Sequence, residues 1–352
     1  MSEFLSGRYK TLAPYTPGEQ PRDMRYLKLN TNESPFPPSV RAVEAAAKAA
    51  EGLQLYSDPE CTLLTEKLAD TLGLHRNEVI LTNGSDEILN FAFMAFCDEH
   101  HGAAFPDVTY GFYPVFASIN AVPYTEIPLR EDLTLCAEDY FGLHKTVFLA
   151  NPNAPTGMAL PVSEIERIIR ANPDSVVVVD EAYVDFGCES CIPLVRKYKN
   201  LLVTQTFSKS RSMAGARLGF GAACPELIAD LRSMKYSTNP YNVNSMTMAA
   251  GLGVLSDPDY TEKNCRTIAE NREYTAQKLR EMGFEVCPSR ANFLFARNER
   301  IAGEELYLAL KARGILIRHF SSERIKDYNR ITIGTRAQMD EFLKATEEIL
   351  KQ

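Results

Sequence analysis

Four consecutive valines, Val176-Val177-Val178-Val179, run straight into an aspartate, Asp180. A strand with one solvent face alternates apolar and polar residues, so a run without alternation needs cover on both faces, as helices give a parallel sheet. Val147 to Ala150 and Leu201 to Thr206 have the same character, and further strands are predicted at Val79 to Thr82, Ala103 to Phe105, Tyr124 to Ile127 and Leu218 to Gly221. Helical patterns separate several of these runs. The fold class expected is α/β, with a mostly parallel central sheet between helices. In such sheets ligands collect beyond the carboxyl ends of the strands, where Asp180 is predicted to lie.

The residues after the next apolar run give that end of the sheet a chemical character. Thr206-Phe207-Ser208-Lys209 closes the strand begun at Leu201, Tyr183 stands three residues after Asp180, and Arg217 lies eight beyond Lys209. Taken singly, Lys209 is an ordinary solvated lysine and Asp180 a helix cap. Taken in order, they match the demands of pyridoxal phosphate. A lysine amine can condense with its aldehyde. A buried carboxylate is costly unless a cation satisfies it, and a protonated pyridine nitrogen is such a cation. Tyr183 is placed to donate to the ring phenolate oxygen, while Arg217, Ser208 and Thr206 offer donors to the phosphate.

The segment Thr82-Asn83-Gly84-Ser85-Asp86 joins a strand to the apolar helix Ile88 to Phe96. Glycine lets backbone approach an anion and the helix start turns free N–H groups toward it, so the cofactor phosphate is the natural guest. Tyr110, in Tyr110-Gly111-Phe112-Tyr113, offers an aromatic face for the pyridine ring. Arg336 opens the final helix, where the helix dipole disfavours a cation. Its planar fork suits a carboxylate or phosphate, which makes it a candidate for the anionic end of a substrate.

Composition narrows the alternatives. A formal net charge of −8 argues against a nucleic-acid surface. No stretch approaches the length of a membrane span, and the start Met1-Ser2-Glu3-Phe4 lacks the form of a leader, so a cytoplasmic enzyme is expected. The eight scattered cysteines are expected to be reduced, and Cys188 and Cys191 lack the second pair that a zinc site needs.

Three divisions are predicted. Residues 1–38, rich in proline, asparagine and tyrosine, read as an extended arm; 39–255 form the large cofactor-binding domain; 256–352 form a smaller α+β domain that the arm joins. In the last of these, a polar helix from Thr261 to Met282 precedes short strands near Phe293 to Ala296, Ile315 to Arg318 and Arg330 to Ile333. Thr335 and Gln338 make a capping box before an apolar stripe from Met339 to Leu350.

Together, Asn151-Pro152-Asn153-Ala154-Pro155-Thr156-Gly157, Asp180-Glu181-Ala182-Tyr183, Thr206-Phe207-Ser208-Lys209 and Gly215-Ala216-Arg217 resemble the fold-type-I pyridoxal-phosphate aminotransferases over nearly the whole chain. Within that group, Leu12-Ala13-Pro14-Tyr15-Thr16-Pro17-Gly18, Leu29-Asn30-Thr31-Asn32-Glu33-Ser34-Pro35, Tyr56-Ser57-Asp58-Pro59 and Arg330-Ile331-Thr332-Ile333-Gly334-Thr335-Arg336 are similar to the histidinol-phosphate aminotransferase family. The resemblance implies catalytic roles for Lys209, Asp180 and Tyr183, stacking by Tyr110, and phosphate contacts from Gly84, Ser85, Asp86, Thr206, Ser208 and Arg217. It implies that Tyr56 reaches the cofactor of a neighbouring subunit in a homodimer, and that Tyr15, Asn32 and Arg336 face the substrate. Whether Arg318, Arg324 or Arg330 assists Arg336 stays open. The family carries asparagine directly before Pro-Thr-Gly where this chain has Ala154, which leaves open whether Asn153 supplies that contact. The same machinery serves aromatic amino-acid aminotransferases. A threonine-phosphate decarboxylase and a cofactor-sensing regulatory domain are further readings of the same fold.

Overall fold

Every one of the continuous apolar runs is a strand covered on both faces. In a computed structural model, which describes residues 2–351, the first strand, β1 (Leu27–Lys28), pairs far along the chain. The next seven form one sheet: β2 (Val79–Thr82), β3 (Ala103–Pro106), β4 (Tyr124–Ile127), β5 (Thr146–Ala150), β6 (Val177–Asp180), β7 (Leu201–Thr206) and β8 (Gly219–Ala223). Their order is β2-β8-β7-β6-β5-β3-β4. All neighbours run parallel except β8, which is antiparallel to both β2 and β7.

The lack of alternation in β6 has the cause anticipated. Val178 packs with Phe148 and Leu202 beneath the helices Ser85–Phe96 and Pro225–Thr238. Val177 and Val179 pack on the opposite face, with Ile165 and Ile168 of the helix Val162–Ala171. All three valines are fully buried, and each contributes roughly 1.5–3 kcal/mol relative to exposure. Charge at any of them has nowhere to go until the strand ends, at Asp180.

The antiparallel return of β8 positions the site. Parallel neighbours need a crossover that carries the chain to the far end of the sheet. Because β8 instead comes back beside β7, with Thr206 opposite Gly219, the loop between them begins and ends at one edge. Lys209 and Arg217 are both in that loop, so both stay at the carboxyl end of β7.

A second core lies toward the end of the chain. β10 (Phe293–Asn298) is flanked by β9 (Phe284–Val286) and β13 (Asn329–Thr332), and β12 (Arg318–His319) completes an antiparallel sheet of order β12-β13-β10-β9. β11 (Ile315–Leu316) pairs in parallel with β1. The helices Pro258–Glu281, Gly303–Ala312 and Arg336–Leu350 cover these strands through Leu279, Leu310 and Phe342. The capping box of Thr335 and Gln338 is present.

Two details differ from expectation. The strand predicted from Ile315 to Arg318 is two, because the chain changes pairing partner around buried Ile317. The N-terminal segment is more than an arm: Leu29 is 2% exposed and sits in the second core. Two-residue strands carry no periodicity to read, and the partner of β1 lies near the other end of the sequence. Met1 and Gln352 fall outside the described residues. Among the described residues no helix is long and apolar enough to cross a membrane.

Candidate active site

Asp180 ends β6 at 5% exposure. Burial, reinforced by the nearby Asp86 carboxylate, pushes its pKa up to about 7. Two donors partly offset this: the Tyr113 hydroxyl reaches Oδ2 at 3.2 Å and the Ala182 N–H reaches Oδ1 at 3.2 Å. A cation set against this carboxylate would hold it ionised.

Lys209 follows β7 by three residues, on a loop pinned by fully buried Phe207. Its Nζ donates to the Thr31 carbonyl at 3.3 Å and stands 5.9 Å from the centre of the Tyr183 ring. Tyr183 packs edge-on against Phe293 at 5.0 Å, and the Asn32 amide donates to its hydroxyl at 3.0 Å. An amine, a phenol and a buried carboxylate thus share one cavity, with Ser85, Asp86, Tyr110, Thr206, Ser208 and Arg217 also on its wall.

That wall has a cradle suited to a phosphate. Arg217, at φ 58°, extends to Asp86, with Nη2 to Oδ2 at 2.9 Å. Gly84 does not line the cavity but makes room for this contact. A β-carbon there would lie 2.6 Å from Arg217 Nη2, on a backbone at φ +81° that disfavours any side chain. Thr206 Oγ1 donates to Ser208 Oγ at 2.9 Å, so two hydroxyls stand together at the end of β7. Tyr110 donates to Asp86 Oδ1 at 2.7 Å, which fixes its ring on the cavity wall. Hydroxyls, guanidinium and the start of the helix Ser85–Phe96 form a donor set for a phosphate dianion, and Asp180 supplies the matching charge for a protonated ring nitrogen. The residues present therefore fit pyridoxal phosphate.

A wider cavity opens from the first and shares Tyr110, Ala154, Tyr183 and Lys209 with it. Tyr15 and Asn32 line it. Tyr15 stacks on Phe112 at 4.3 Å between ring centres. Asn32 is held on both sides: its N–H donates to Thr332 Oγ1 at 2.9 Å, and its carbonyl accepts from Asn292 at 3.0 Å.

Three candidates are not brought here. Arg336 is exposed, its guanidinium lying 3.6 Å over the Tyr274 ring, away from both cavities. Stacking on an aromatic face is what compensates a cation at that helix start. Asn153 turns backward, donating to the Val108 carbonyl at 3.0 Å and to Thr156 at 3.2 Å, and accepting from Thr109 at 2.8 Å. With its hydrogen-bonding capacity spent there, it cannot stand in at Ala154, which lines both cavities. Tyr56 is 84% exposed and stacks on Tyr241 at 4.7 Å, outside both cavities of its own chain.

Arg330 does line the wider cavity. Its Nη2 donates to the Asn30 carbonyl at 3.1 Å, and its guanidinium lies over Phe293 at 5.4 Å and Phe320 at 5.7 Å. Nε is buried without a partner. The sequence contained the signal: Ile331 and Ile333 enter the second core, so the alternate residues Arg330 and Thr332 face the other side of the strand. Arg318 also lines this cavity and holds the Thr16 and Pro17 carbonyls at 3.0 and 3.2 Å. Arg324 is committed to Asp107 and to the Leu129 carbonyl, tying its loop to the main sheet.

Known proteins share both the fold and the sequence. The chain is 45% identical to a histidinol-phosphate aminotransferase of Brachyspira hyodysenteriae, covering all of both chains. It is 42% identical to one of Clostridium acetobutylicum, covering 99% of this chain and all of the other. The solved structure of histidinol-phosphate aminotransferase from Sinorhizobium meliloti, in complex with pyridoxal-5'-phosphate, superposes with a TM-score of 0.84 at 23% identity, over 92% of this chain and 90% of the other. That last likeness speaks for the fold. The family model for aminotransferase class I and II matches residues 25–345, nearly the whole of both cores, and with relatives of such identity along the full length the chain belongs to the class I and II aminotransferase family.

Proposed function

We propose that this enzyme is a histidinol-phosphate aminotransferase that uses pyridoxal phosphate. It exchanges an amino group between histidinol phosphate and 2-oxoglutarate, giving imidazole acetol phosphate and glutamate. The full-length identity to relatives bearing that name supports the substrate. The observation that carries the chemistry is the shared cavity of Lys209, Asp180 and Tyr183 opening onto an arginine with an unpartnered nitrogen.

When bound, pyridoxal phosphate supplies the aldehyde that takes up the amino group and the ring that accepts the electron pair released at the substrate Cα. Lys209 Nζ would hold that aldehyde, and its free amine would be the base that takes the proton from the substrate Cα and returns it as an acid. Asp180 keeps the ring nitrogen protonated. Tyr183 would donate to the phenolate oxygen while Asn32 holds the phenol in place. With alanine at 154, Tyr183 is the side chain that serves this oxygen. Arg217, Ser208, Thr206, Ser85 and the cradle at Gly84 would hold the phosphate, and Tyr110 would offer its face to the ring.

Histidinol phosphate carries a phosphate where glutamate carries its α-carboxylate, and glutamate has a second carboxylate on its side chain. Arg330 is the fork for that phosphate and that α-carboxylate, with Arg318 and Tyr15 beside it. Arg336 drops out of that role. We also read the chain as a homodimer. Val40, Val43, Leu53, Leu55, Tyr56 and Leu63 are all at least half exposed, an apolar surface that a second copy would cover while bringing Tyr56 to the partner's cofactor. The divisions at 1–38, 39–255 and 256–352 and a cytoplasmic location belong to the same reading.

The test is a panel of amino donors offered to the purified protein. Histidinol phosphate and glutamate should each convert the bound cofactor to its amino form in a single turnover. A preference for phenylalanine over histidinol phosphate would point to an aromatic aminotransferase. Release of carbon dioxide from threonine phosphate would point to the decarboxylase.

A further inference from the structure

Tyr113 takes no part in either cavity, yet it makes a polar contact with the charge that the chemistry depends on. It begins the helix Tyr113–Asn120 and is 0% exposed. Its ring is set by Phe105 at 5.6 Å, Tyr110 at 5.7 Å and Phe148 at 5.8 Å, three rings from three separate segments. So buried a phenol costs stability unless its hydroxyl finds a partner, and here the partner is Asp180 Oδ2 at 3.2 Å. Among the described residues no other side chain donates to Asp180; its second contact is the Ala182 N–H. Burial and the Asp180 carboxylate both keep the hydroxyl protonated, so it acts only as a donor here.

Asp180 needs such help because, apart from the Ala182 N–H, its surroundings favour the neutral acid. It is desolvated, and the Asp86 and Glu181 carboxylates repel its charge. A neutral Asp180 against a neutral pyridine would lose the electron-withdrawing power that the reaction requires. We propose that Tyr113 is a positioning residue for catalysis, whose hydroxyl keeps Asp180 ionised and oriented so that the proton of the Asp180–pyridine pair stays on the ring nitrogen. The inference rests on pyridoxal phosphate being the cofactor.

Tyr113→Phe removes one oxygen and keeps the ring. A hydrogen bond to a charged group is worth enough to change an equilibrium about tenfold or more, so kcat should fall about tenfold while KM for the amino donor changes less than about twofold. The direct readout is the nuclear magnetic resonance signal of pyridoxal phosphate isotope-labelled in its ring nitrogen. In Tyr113→Phe it should shift toward the unprotonated position. In an Asp180→Asn background the same substitution should shift it no further. Phe148→Leu loosens the same ring cluster without touching the hydroxyl, and should lower the melting temperature while leaving the signal in place. An unmoved signal in Tyr113→Phe, or an equal shift in Phe148→Leu, would overturn the inference. A wild-type protein that binds no pyridoxal phosphate would instead overturn the functional reading itself.

Discussion

The Asn32 side chain donates to the Tyr183 hydroxyl at 3.0 Å, across 151 residues of sequence. Asn32 belongs to a segment woven into the second core through Thr332 and Asn292, whereas Tyr183 follows β6 of the main sheet. The contact therefore makes the orientation of one active-site phenol depend on how the two cores sit together.

Replacing Asn32 with Asp tests that dependence without straining the backbone, because aspartate tolerates the φ of 56° found there. A carboxylate accepts where the amide donated, so the Tyr183 hydroxyl should turn to it and leave the cofactor oxygen. The visible band of the bound cofactor should titrate at higher pH, and kcat/KM should fall about tenfold, the scale of a lost charge-assisted hydrogen bond. An unchanged titration would show that Asn32 does not direct Tyr183.

Arg330 and Arg336 give opposite expectations. Arg330→Lys replaces a fork by a point charge inside the cavity, so kcat/KM should drop about tenfold or more for glutamate and for histidinol phosphate alike. Arg336→Ala removes a surface stack on Tyr274, worth roughly 0.5–1 kcal/mol of stability, and should leave both values within about twofold. Steady-state kinetics with the two donors separates them.

Asp180 also makes the cofactor-free protein sensitive to pH, and the direction is set by its pKa of about 7, raised by burial. Between the ordinary carboxylate range and about 7 the folded state holds a proton that the unfolded state has lost. Asp180 therefore costs stability as pH rises through that window, up to roughly 4 kcal/mol if the whole shift is felt. Asp180→Asn removes the penalty. Thermal melts of cofactor-free protein from about pH 5 to about pH 8 should show the mutant gaining on the wild type as pH rises. Parallel curves would contradict the assignment of that penalty to Asp180.

Gly84→Ala places a β-carbon 2.6 Å from Arg217 Nη2 at a backbone angle of +81°. The affinity for pyridoxal phosphate should weaken about tenfold or more, the scale of a disturbed charged contact. Equilibrium titration of the cofactor into the stripped variant measures this, and wild-type affinity would show that the cradle plays no part in holding the phosphate.

How much of this was legible in the sequence depends on how local each signal is. Unbroken apolar runs placed β5, β6 and β7 to within a residue, because burial on two faces leaves no other pattern. Asp180, Lys209 and Arg217 were legible because each stands at a strand end or in the loop that begins there. Arg336 drew notice as a cation against a helix dipole, but an aromatic neighbour far away in sequence, Tyr274, answers that cost. Reading the alternation around Ile331 would have favoured Arg330. β1 and the hydrogen bond from Tyr113 to Asp180 were beyond reach, since both are made by pairs of residues that only the folded chain brings together.

All of the proposed chemistry depends on Lys209 holding the cofactor in the cavity that Asp180 and Tyr183 share. Borohydride reduction of the protein saturated with pyridoxal phosphate, followed by peptide mapping, puts that attachment to the test. One stoichiometric phosphopyridoxyl group is expected, on the peptide that contains Lys209, and none in Lys209→Ala. A group fixed on any other lysine of the wild-type protein, or no group at all, would contradict it.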